Sequence, residues 1–322
     1  SCNRSKSPEN ALYCLCMLKY YVKRSDNEAY QQVTTPPKDN VWIHGEGVDE
    51  AELRVLSTTY GMNFNVLRDV LDVNELPRVE SHDDGLYVFV RTAQRGKHGQ
   101  VVTTPVLMAV KGTVFANVSI ATVTDYKLAT PVLSVQQDTT TSLLLGLFAT
   151  VVSEYEELIQ RTARYIFNTG RRLRTHEVTN QDFITFVTVE DNLNEYRMNL
   201  SGMLVVAERL RDRLQDTGDK EAVEDILLYI RQLLVSIDSH NQTITSIRNA
   251  YGTIANNVLN QRMKTLTVLT VMITLPNVFY GMYGMNVPLP FQDEVWMYGG
   301  IVIFTIAVTI AVYLLAKRFK VL

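Results

Sequence analysis

Two long uncharged stretches near the C-terminus dominate the hydrophobic pattern of the chain. Residues 265–284 and residues 296–315 each contain twenty residues without a single Asp, Glu, Lys or Arg. A helix of about twenty apolar residues matches the hydrocarbon thickness of a bilayer. Residues 285–295 between them are long enough only for a short loop. The pattern therefore predicts two transmembrane helices joined by an external loop, whereas the alternative is a buried hairpin in a soluble protein.

The basic residues around these stretches predict their orientation. Arg262 and Lys264 precede the first span, and the tail 316–322 contains three more basic residues, whereas the loop has two acidic residues and no Lys or Arg. Because Lys and Arg accumulate on the cytoplasmic side, we expect both termini in the cytoplasm and a location in the plasma (inner) membrane. Aromatic residues at both span ends suit the membrane interface, namely Tyr283, Trp296 and Tyr298.

The first part of the chain, residues 1–138, reads as a cytoplasmic α/β domain. Short runs rich in Val, Phe and Tyr predict strands at 41–43, 86–92, 105–110 and 113–119, with a further first strand near 11–18. Periodic apolar positions predict helices at 49–61 and 65–72. The three cysteines lie within the first sixteen residues, which argues against a disulfide framework and indicates ordinary strand residues in a reducing compartment.

From Thr139 onward the pattern is helical. Residues 139–219 predict a helical segment with helices near 140–175 and 181–214, followed by a break at 215–221. A stalk helix is then expected over 220–264, continuous with the first span at 265–284. About 65 helical residues extend roughly 100 Å, far more than a bilayer needs, so most of this helix must lie in the cytoplasm. The predicted fold class is α+β with a helical membrane part.

Two stripes run along this long helix in alternating steps of three and four residues. The first, which we call the apolar seam, predicts a helix-packing surface interrupted by His240. It consists of Ile226, Ile230, Leu233, Ile237, Ile244, Ile247, Tyr251, Ile254 and Val258, and it resumes in the membrane as Val268, Met272, Leu275 and Phe279.

The second, which we call the polar stripe, continues into the first span without a charged residue. It consists of Ser239, Gln242, Ser246, Asn249, Thr253, Asn256, Asn260, Met263, Thr267, Thr270, Thr274, Asn277 and Gly281.

The polar stripe indicates a water-lined surface rather than a lipid-facing one. Unsatisfied polar groups are costly in hydrocarbon, and a single Thr or Asn would instead suit contacts between membrane helices. One copy cannot enclose a pore, but a closed ring of copies can, with the apolar seam packing onto neighbours. Neutral oxygens suit a hydrated cation such as Mg2+, which keeps several waters. The membrane potential would supply about 4.6 kcal/mol per 100 mV to a divalent ion.

The segment Tyr283-Gly284-Met285-Asn286 resembles the signature of the CorA family of divalent-cation transporters. Residues 41–91, with "LRDVLD" followed by "PRVE", are similar to the family's N-terminal domain, and residues 260–270 and the basic tail match its plan. The resemblance implies a homopentameric channel-like transporter of Mg2+ that also carries Co2+ or Ni2+, with no cofactor. Its cytoplasmic domains would form a funnel.

The resemblance also implies roles for particular residues. Tyr283, Gly284, Met285 and Asn286 would form the ring that receives the hydrated ion. Counted back from Asn286, six positions of the polar stripe fall at the family's pore-lining places, namely Asn260, Met263, Thr267, Thr274, Asn277 and Gly281. The spacing of the stripe adds Asn256 and Thr270 as pore-lining candidates. Cytoplasmic Mg2+ would act as a regulatory ligand at Asp225, with candidate partner carboxylates at Asp69, Asp72 and within 81–85.

Two other functions remain as alternatives. The zinc-transporting branch of the same superfamily shares the Gly-Met-Asn motif, although neither span contains His or Cys. A membrane-anchored coiled-coil sensor or scaffold would need no polar stripe. An enzyme is not expected, because the five His residues show no ligand spacing and no nucleophile or phosphate-loop motif is present. The net charge of −3 gives no indication of nucleic-acid binding.

Overall fold

The fold is described from a computed structural model, in which residues 18–23, 30–96, 99–121, 139–174, 180–286 and 294–318 are described. The chain divides into two compact units, Ser1–Ile244 and Thr245–Leu322. The cysteines and most of the strand predicted at 11–18 lie outside the described residues. So do the external loop at 287–293 and the final residues 319–322.

A mixed seven-stranded sheet forms the centre of the first unit. Its strands are β1 (Leu18–Val22), β2 (Gln31–Val33), β3 (Val41–Glu46), β4 (Arg78–His82), β5 (Gly85–Arg95), β6 (Val101–Lys111) and β7 (Val114–Ser119). They lie in the order β2-β1-β3-β7-β6-β5-β4. Only β3 and β7 pair in parallel, with Val41 opposite Val114. The prediction of an α/β domain is thus confirmed in architecture. The strands β2 and β4 were not predicted, and β1 shares only Leu18 with the strand predicted at 11–18.

Both faces of the sheet are buried, which explains the apolar runs in β5, β6 and β7. On one face, Ile43, Phe89 and Leu107 pack with helices α1 (Glu50–Tyr60) and α2 (Phe64–Asp69). Helix α1 begins at a capping box formed by Asp49 and Glu52 and ends at Gly61, whose φ of 66° favours glycine. Helix α2 ends three residues earlier than predicted.

Two long helices contact the sheet strands and complete the core. Helix α3 (Thr140–Arg174) contacts β5, β6 and β7, and helix α4 (Asn180–Arg213) contacts β4 and β5. Tyr155 on α3 is fully buried, and its hydroxyl donates to the carbonyl of Arg91 at 2.9 Å. The guanidinium of Arg91 in turn donates to the carbonyls of Val73, Glu75 and Thr103.

Helix α5 (Thr217–Tyr283) is a single helix of 67 residues that contains Pro276. It begins at Thr217, inside the break predicted at 215–221, and only residues 214–216 separate it from α4. The predicted first span ends one residue beyond this helix, at Gly284. Helix α6 (Trp296–Arg318) contains the second predicted span and extends three residues past it.

The helices of the second unit have the surface of membrane spans rather than of a soluble core. By length and composition α5 and α6 can each cross a membrane, and only 6% and 11% of their most apolar windows are buried. In a buried hairpin of a soluble protein, most of each window would be buried instead. Phe279 and Phe304 stack edge to face with ring centres 5.2 Å apart. At the start of α6, Trp296 and Tyr298 are exposed, as an interfacial aromatic pair would be.

Candidate functional site

The apolar seam and the polar stripe occupy different surfaces of α5. All thirteen positions of the polar stripe are exposed in the single chain. In the apolar seam, Ile226, Ile230 and Ile237 of the first unit are buried, and so are Ile247 and Val268 of the second. The N-terminal part of the seam therefore packs within its own chain, which corrects the expectation that the seam packs onto neighbouring copies. The polar stripe is left available on the surface.

The three threonines of the polar stripe that lie within the first span hold their hydroxyl groups in one orientation. Thr267 donates its hydroxyl proton to the carbonyl of Met263 at 2.9 Å, and Thr270 donates to that of Leu266 at 2.9 Å. One turn further, Thr274 donates to the carbonyl of Thr270, also at 2.9 Å. A hydroxyl whose proton is engaged in this way presents only its lone pairs to the surroundings. The three threonines therefore form a row of hydrogen-bond acceptors.

The charges on this part of α5 lie off the polar stripe. Between residues 239 and 281 the charged side chains are Arg248, Arg262 and Lys264, and none of them is a stripe position. The stripe itself offers hydroxyl and amide oxygens without a carboxylate. Such oxygens accept hydrogen bonds from the water around a cation, and because they are neutral they attract a divalent metal less strongly than a carboxylate does. The surface can guide a hydrated cation without holding it tightly.

The Tyr283-Gly284-Met285-Asn286 segment forms a tight turn at the C-terminus of α5. The amide of Gly284 donates to the carbonyl of Tyr280 at 3.0 Å, and that of Met285 donates to Met282 at 3.3 Å. A Cβ atom at Gly284 would lie 3.3 Å from the Tyr280 carbonyl oxygen, so the turn has little room for a side chain. Gly284 follows Gly281 by three residues and continues the spacing of the polar stripe.

Met285 and Asn286 extend beyond the end of the helix as exposed residues. The structure thus brings the four residues of the motif together at one end of the polar stripe. The assignment of this turn to ion recognition stays a prediction.

Asp225 is exposed near the start of α5 and lies at the edge of a cavity between α3 and α5. The cavity has a volume of about 660 Å³ and is also lined by Asp216 and Asp219. Burial raises the pKa of Asp219, and the nearby carboxylate of Asp216 adds to this effect. Among the described residues, no group of three or more His, Cys, Asp or Glu side chains is arranged to hold a metal ion. The described part of a single chain therefore offers no preformed metal cage around Asp225.

The candidate partner carboxylates are mostly engaged elsewhere. Asp69 forms an ion pair with Arg78 at 2.7 Å, and Asp72 caps the turn that follows α2 by accepting from the amide of Asn74. Asp83 accepts a hydrogen bond from Asn63 at 3.1 Å. Each of these three carboxylates therefore has a structural role within its own chain, as the partner of an ion pair or of a hydrogen bond. The regulatory role of Asp225 stays a prediction without an identified partner.

Asp216 and Asp219 were missed at the sequence level because they fall in the predicted break. Asp216 accepts a hydrogen bond from the amide of Asp219 at 3.1 Å and so caps the first turn of α5. An acidic residue three positions before another at a helix start is a recognisable capping pattern. That pattern would have placed the start of α5, and with it the two carboxylates, next to Asp225.

The chain was compared with known proteins by sequence and by structure, and the matches from the two comparisons agree with each other. A sequence model described as "CorA-like Mg2+ transporter protein" matches residues 37–318. No curated protein sequence matches the chain. Among solved structures, the complete CorA magnesium transporter from Methanocaldococcus jannaschii is similar with a TM-score of 0.81 and 16% identity, over 94% of this chain and 98% of that one.

Two further structures show the same fold at lower similarity. The full-length CmaX protein has a TM-score of 0.71 and 14% identity, over 92% of this chain and 97% of that one. The cytoplasmic domain of ZntB from Vibrio parahaemolyticus has a TM-score of 0.52 and 11% identity, over 76% of this chain and 97% of that one.

Proposed function

The chain belongs to the CorA-like Mg2+ transporter protein family, and on that premise we propose that it is a channel-like membrane transporter of hydrated divalent cations, chiefly Mg2+. The M. jannaschii structure with the same fold is that of a magnesium transporter, which supports Mg2+ as the transported ion. Co2+ and Ni2+ have similar size and hydration and are further substrates. The ion moves down the membrane potential, and neither an enzymatic step nor a cofactor is involved.

The exposed polar stripe with its oriented threonines is the observation that carries this proposal. Transport requires a continuous polar surface through the hydrocarbon region, and lipid would leave such a surface unsatisfied. Thr267, Thr270 and Thr274 present acceptors only, so they bind the hydrogen atoms of water molecules that surround a cation. An anion orients its water in the opposite sense and receives no such support. The geometry favours a hydrated cation over an anion.

A closed ring of five copies would place the polar stripes around one axis. The single chain leaves the stripe exposed while it buries the N-terminal part of the apolar seam, as a subunit of such a ring requires. In this arrangement both termini lie in the cytoplasm, and the Tyr283–Asn286 turn faces the outside. Cytoplasmic Mg2+ closes the path by binding at Asp225, with the second carboxylate contributed by another subunit. The exposure of Asp225 in the single chain supports that last point, because it leaves the carboxylate accessible to another subunit.

Zinc transport is the second candidate, supported by the similarity to the ZntB cytoplasmic domain. That similarity is limited to the fold of the cytoplasmic part. Zn2+ sites in proteins use His and Cys ligands, and neither residue type occurs in the two spans. The composition of the polar stripe therefore favours an ion that keeps its water, as Mg2+ does.

Ion-resolved flux into liposomes tests the proposal. The purified protein is reconstituted, a potassium diffusion potential is imposed, and uptake of Mg2+ and Zn2+ is followed with ion-selective dyes. We expect Mg2+ uptake that follows the membrane potential and does not change when a pH gradient is added. Zinc uptake that depends on the proton gradient, with no Mg2+ uptake, would favour the second candidate. No flux of either ion would support the sensor or scaffold alternative.

A further inference from the structure

A cavity between the helices α3 and α4 and the end of the β5–β6 hairpin has no part in the ion path. Its volume is about 760 Å³, which lies within the range of pockets that hold small organic ligands. All of its lining residues belong to the first unit. The side chain of Asn192 fixes the hairpin to α4, because it donates to the carbonyl of Gly99 at 2.8 Å and accepts from the amide of Val101 at 2.9 Å. The cavity is therefore bounded by anchored elements.

The charges around this cavity have one sign. Among the described residues its lining contains Arg95 and Arg161 and no Asp or Glu, although the whole chain has more acidic than basic residues. Arg161 forms an ion pair with Glu157 one turn earlier on α3. The backbone of Arg95 pairs with Val101 in the sheet, but its guanidinium has no hydrogen-bond or ion-pair partner among the described residues. The cavity thus holds at least one guanidinium group that is available to an anion.

The remaining lining supplies an apolar wall and hydroxyl groups. Leu158, Ile184 and Val189 contribute apolar surface, and Tyr165 and Tyr196 contribute aromatic rings. Burial raises the pKa of Tyr196 to about 12, against smaller opposing effects of Thr162 and of the Arg95 charge. Tyr196 is therefore a neutral phenol at physiological pH. A Cβ atom at Gly99, another lining residue, would lie 4.0 Å from Nη2 of Arg95, so the guanidinium lies beside the cavity lining.

We propose that this cavity binds an organic phosphate, with the phosphate group held by Arg95 and a planar apolar body lying against Leu158, Ile184 and the ring of Tyr165. A guanidinium group offers two parallel N–H donors that match two phosphate oxygens. Inorganic phosphate would leave the apolar wall uncovered, and an uncharged body would leave Arg95 unpaired. Only a ligand with both parts uses the whole lining.

Isothermal titration calorimetry of the full chain in detergent tests this site, with AMP as the probe and inorganic phosphate and adenosine as comparisons. We expect one AMP per chain, and binding roughly tenfold or more weaker for each comparison compound, because each lacks one of the two groups of contacts. Arg95→Gln should weaken AMP binding by a similar factor. The measurement involves no ion flux, so its failure leaves the proposed transport function untouched.

Arg164→Gln is the matched control, since Arg164 is an exposed arginine on α3 that does not line the cavity. This variant should bind AMP as the unmodified chain does. Ile184→Gln, which changes the apolar wall at an exposed position, should weaken AMP but not inorganic phosphate. The proposal is overturned if AMP gives no binding heat at millimolar concentration, if it binds no better than inorganic phosphate, or if Arg95→Gln and Arg164→Gln weaken it equally.

Discussion

Replacement of Thr274 by Val tests whether the threonine acceptors contribute to ion movement. The Thr274 hydroxyl donates to the carbonyl of Thr270 at 2.9 Å and approaches that of Val271 at 3.2 Å. Valine has nearly the same shape, and both carbonyls keep their positions in the α-helix, so the fold should be preserved. The change removes one acceptor from every subunit at one level of the path.

The magnitude follows from the number of hydrogen bonds lost. A neutral hydrogen bond contributes about 1 kcal/mol net, and a hydrated ion at this level would lose about two or three of them. The barrier then rises by about 2–3 kcal/mol, and flux falls roughly 30- to 150-fold. The assay is Mg2+ uptake into liposomes under a fixed membrane potential, with oligomer size checked by cross-linking.

Two matched variants separate this effect from a change in helix packing. Thr274→Ser keeps the hydroxyl and should retain most of the flux. Thr265→Val removes a hydroxyl with the same type of contact, to the carbonyl of Gln261 at 3.0 Å, but Thr265 is not a position of the polar stripe. Its flux should change less than about twofold, as a neutral surface substitution would. If Thr274→Val transports within twofold of the unmodified chain, or if Thr265→Val loses as much, the acceptor argument is refuted.

Three further outcomes are expected. Gly284→Ala and Asn286→Ala should abolish Mg2+ uptake in liposomes while cross-linking still shows the intact oligomer; flux like that of the unmodified chain in either variant would contradict the role of the turn. Asp225→Asn should keep the path open when Mg2+ is plentiful on the cytoplasmic side, and Glu224→Gln beside it should not; equal closure in the two variants would remove Asp225 from regulation. Burial lowers the pKa of His44 from 6.5 to about 4. Between these pH values the imidazole is protonated in the unfolded chain and neutral in the folded one. The free energy of unfolding should therefore fall by up to about 3 kcal/mol as the pH drops from 6.5 to 4. Thermal unfolding of His44→Gln should show a smaller loss over that range, and an unchanged pH profile would show that His44 is not responsible.

Strands with strong apolar runs were predictable from the sequence, and polar strands were not. Residues of β5, β6 and β7 are buried on both faces of the sheet, so their Val, Leu and Phe content identifies them. By contrast β2 and β4 carry the sequences QQV and RVESH, and their residues are largely exposed or half-buried. They are strands because they pair with β1 and β5, and that long-range pairing leaves no local pattern.

The same holds for the candidate site. Features carried by one helix were predictable from the sequence, and features that depend on residues far apart in the chain were not. The positions of the polar stripe follow from spacing alone, because one helix carries them all, whereas Gly284 lies one residue beyond that helix and was identified by the resemblance of its motif. The orientation of the threonine hydroxyls needs coordinates, since a threonine side chain can donate to its own helix or outward. The cavity beside Arg95 combines a hairpin end with two helices more than fifty residues away in sequence. No pattern within one segment could have revealed it.

Accessibility of cysteines along α5 during transport tests the central claim most directly. The three native cysteines are replaced by Ser, and single cysteines are introduced at Met263 and Gly281 on the polar stripe and at Thr265 and Ile273 off it. Met263 and Gly281 are chosen because their replacement removes no threonine acceptor, and a Cβ atom at Gly281 would meet no other atom within 4 Å. A charged methanethiosulfonate reagent is then added to liposomes while Mg2+ flux is recorded. If the polar stripe lines the ion path, the reagent should block flux at Met263 and Gly281 and leave it unchanged at the other two positions. Block at Thr265 or Ile273 with unimpeded flux at the stripe positions would contradict the account.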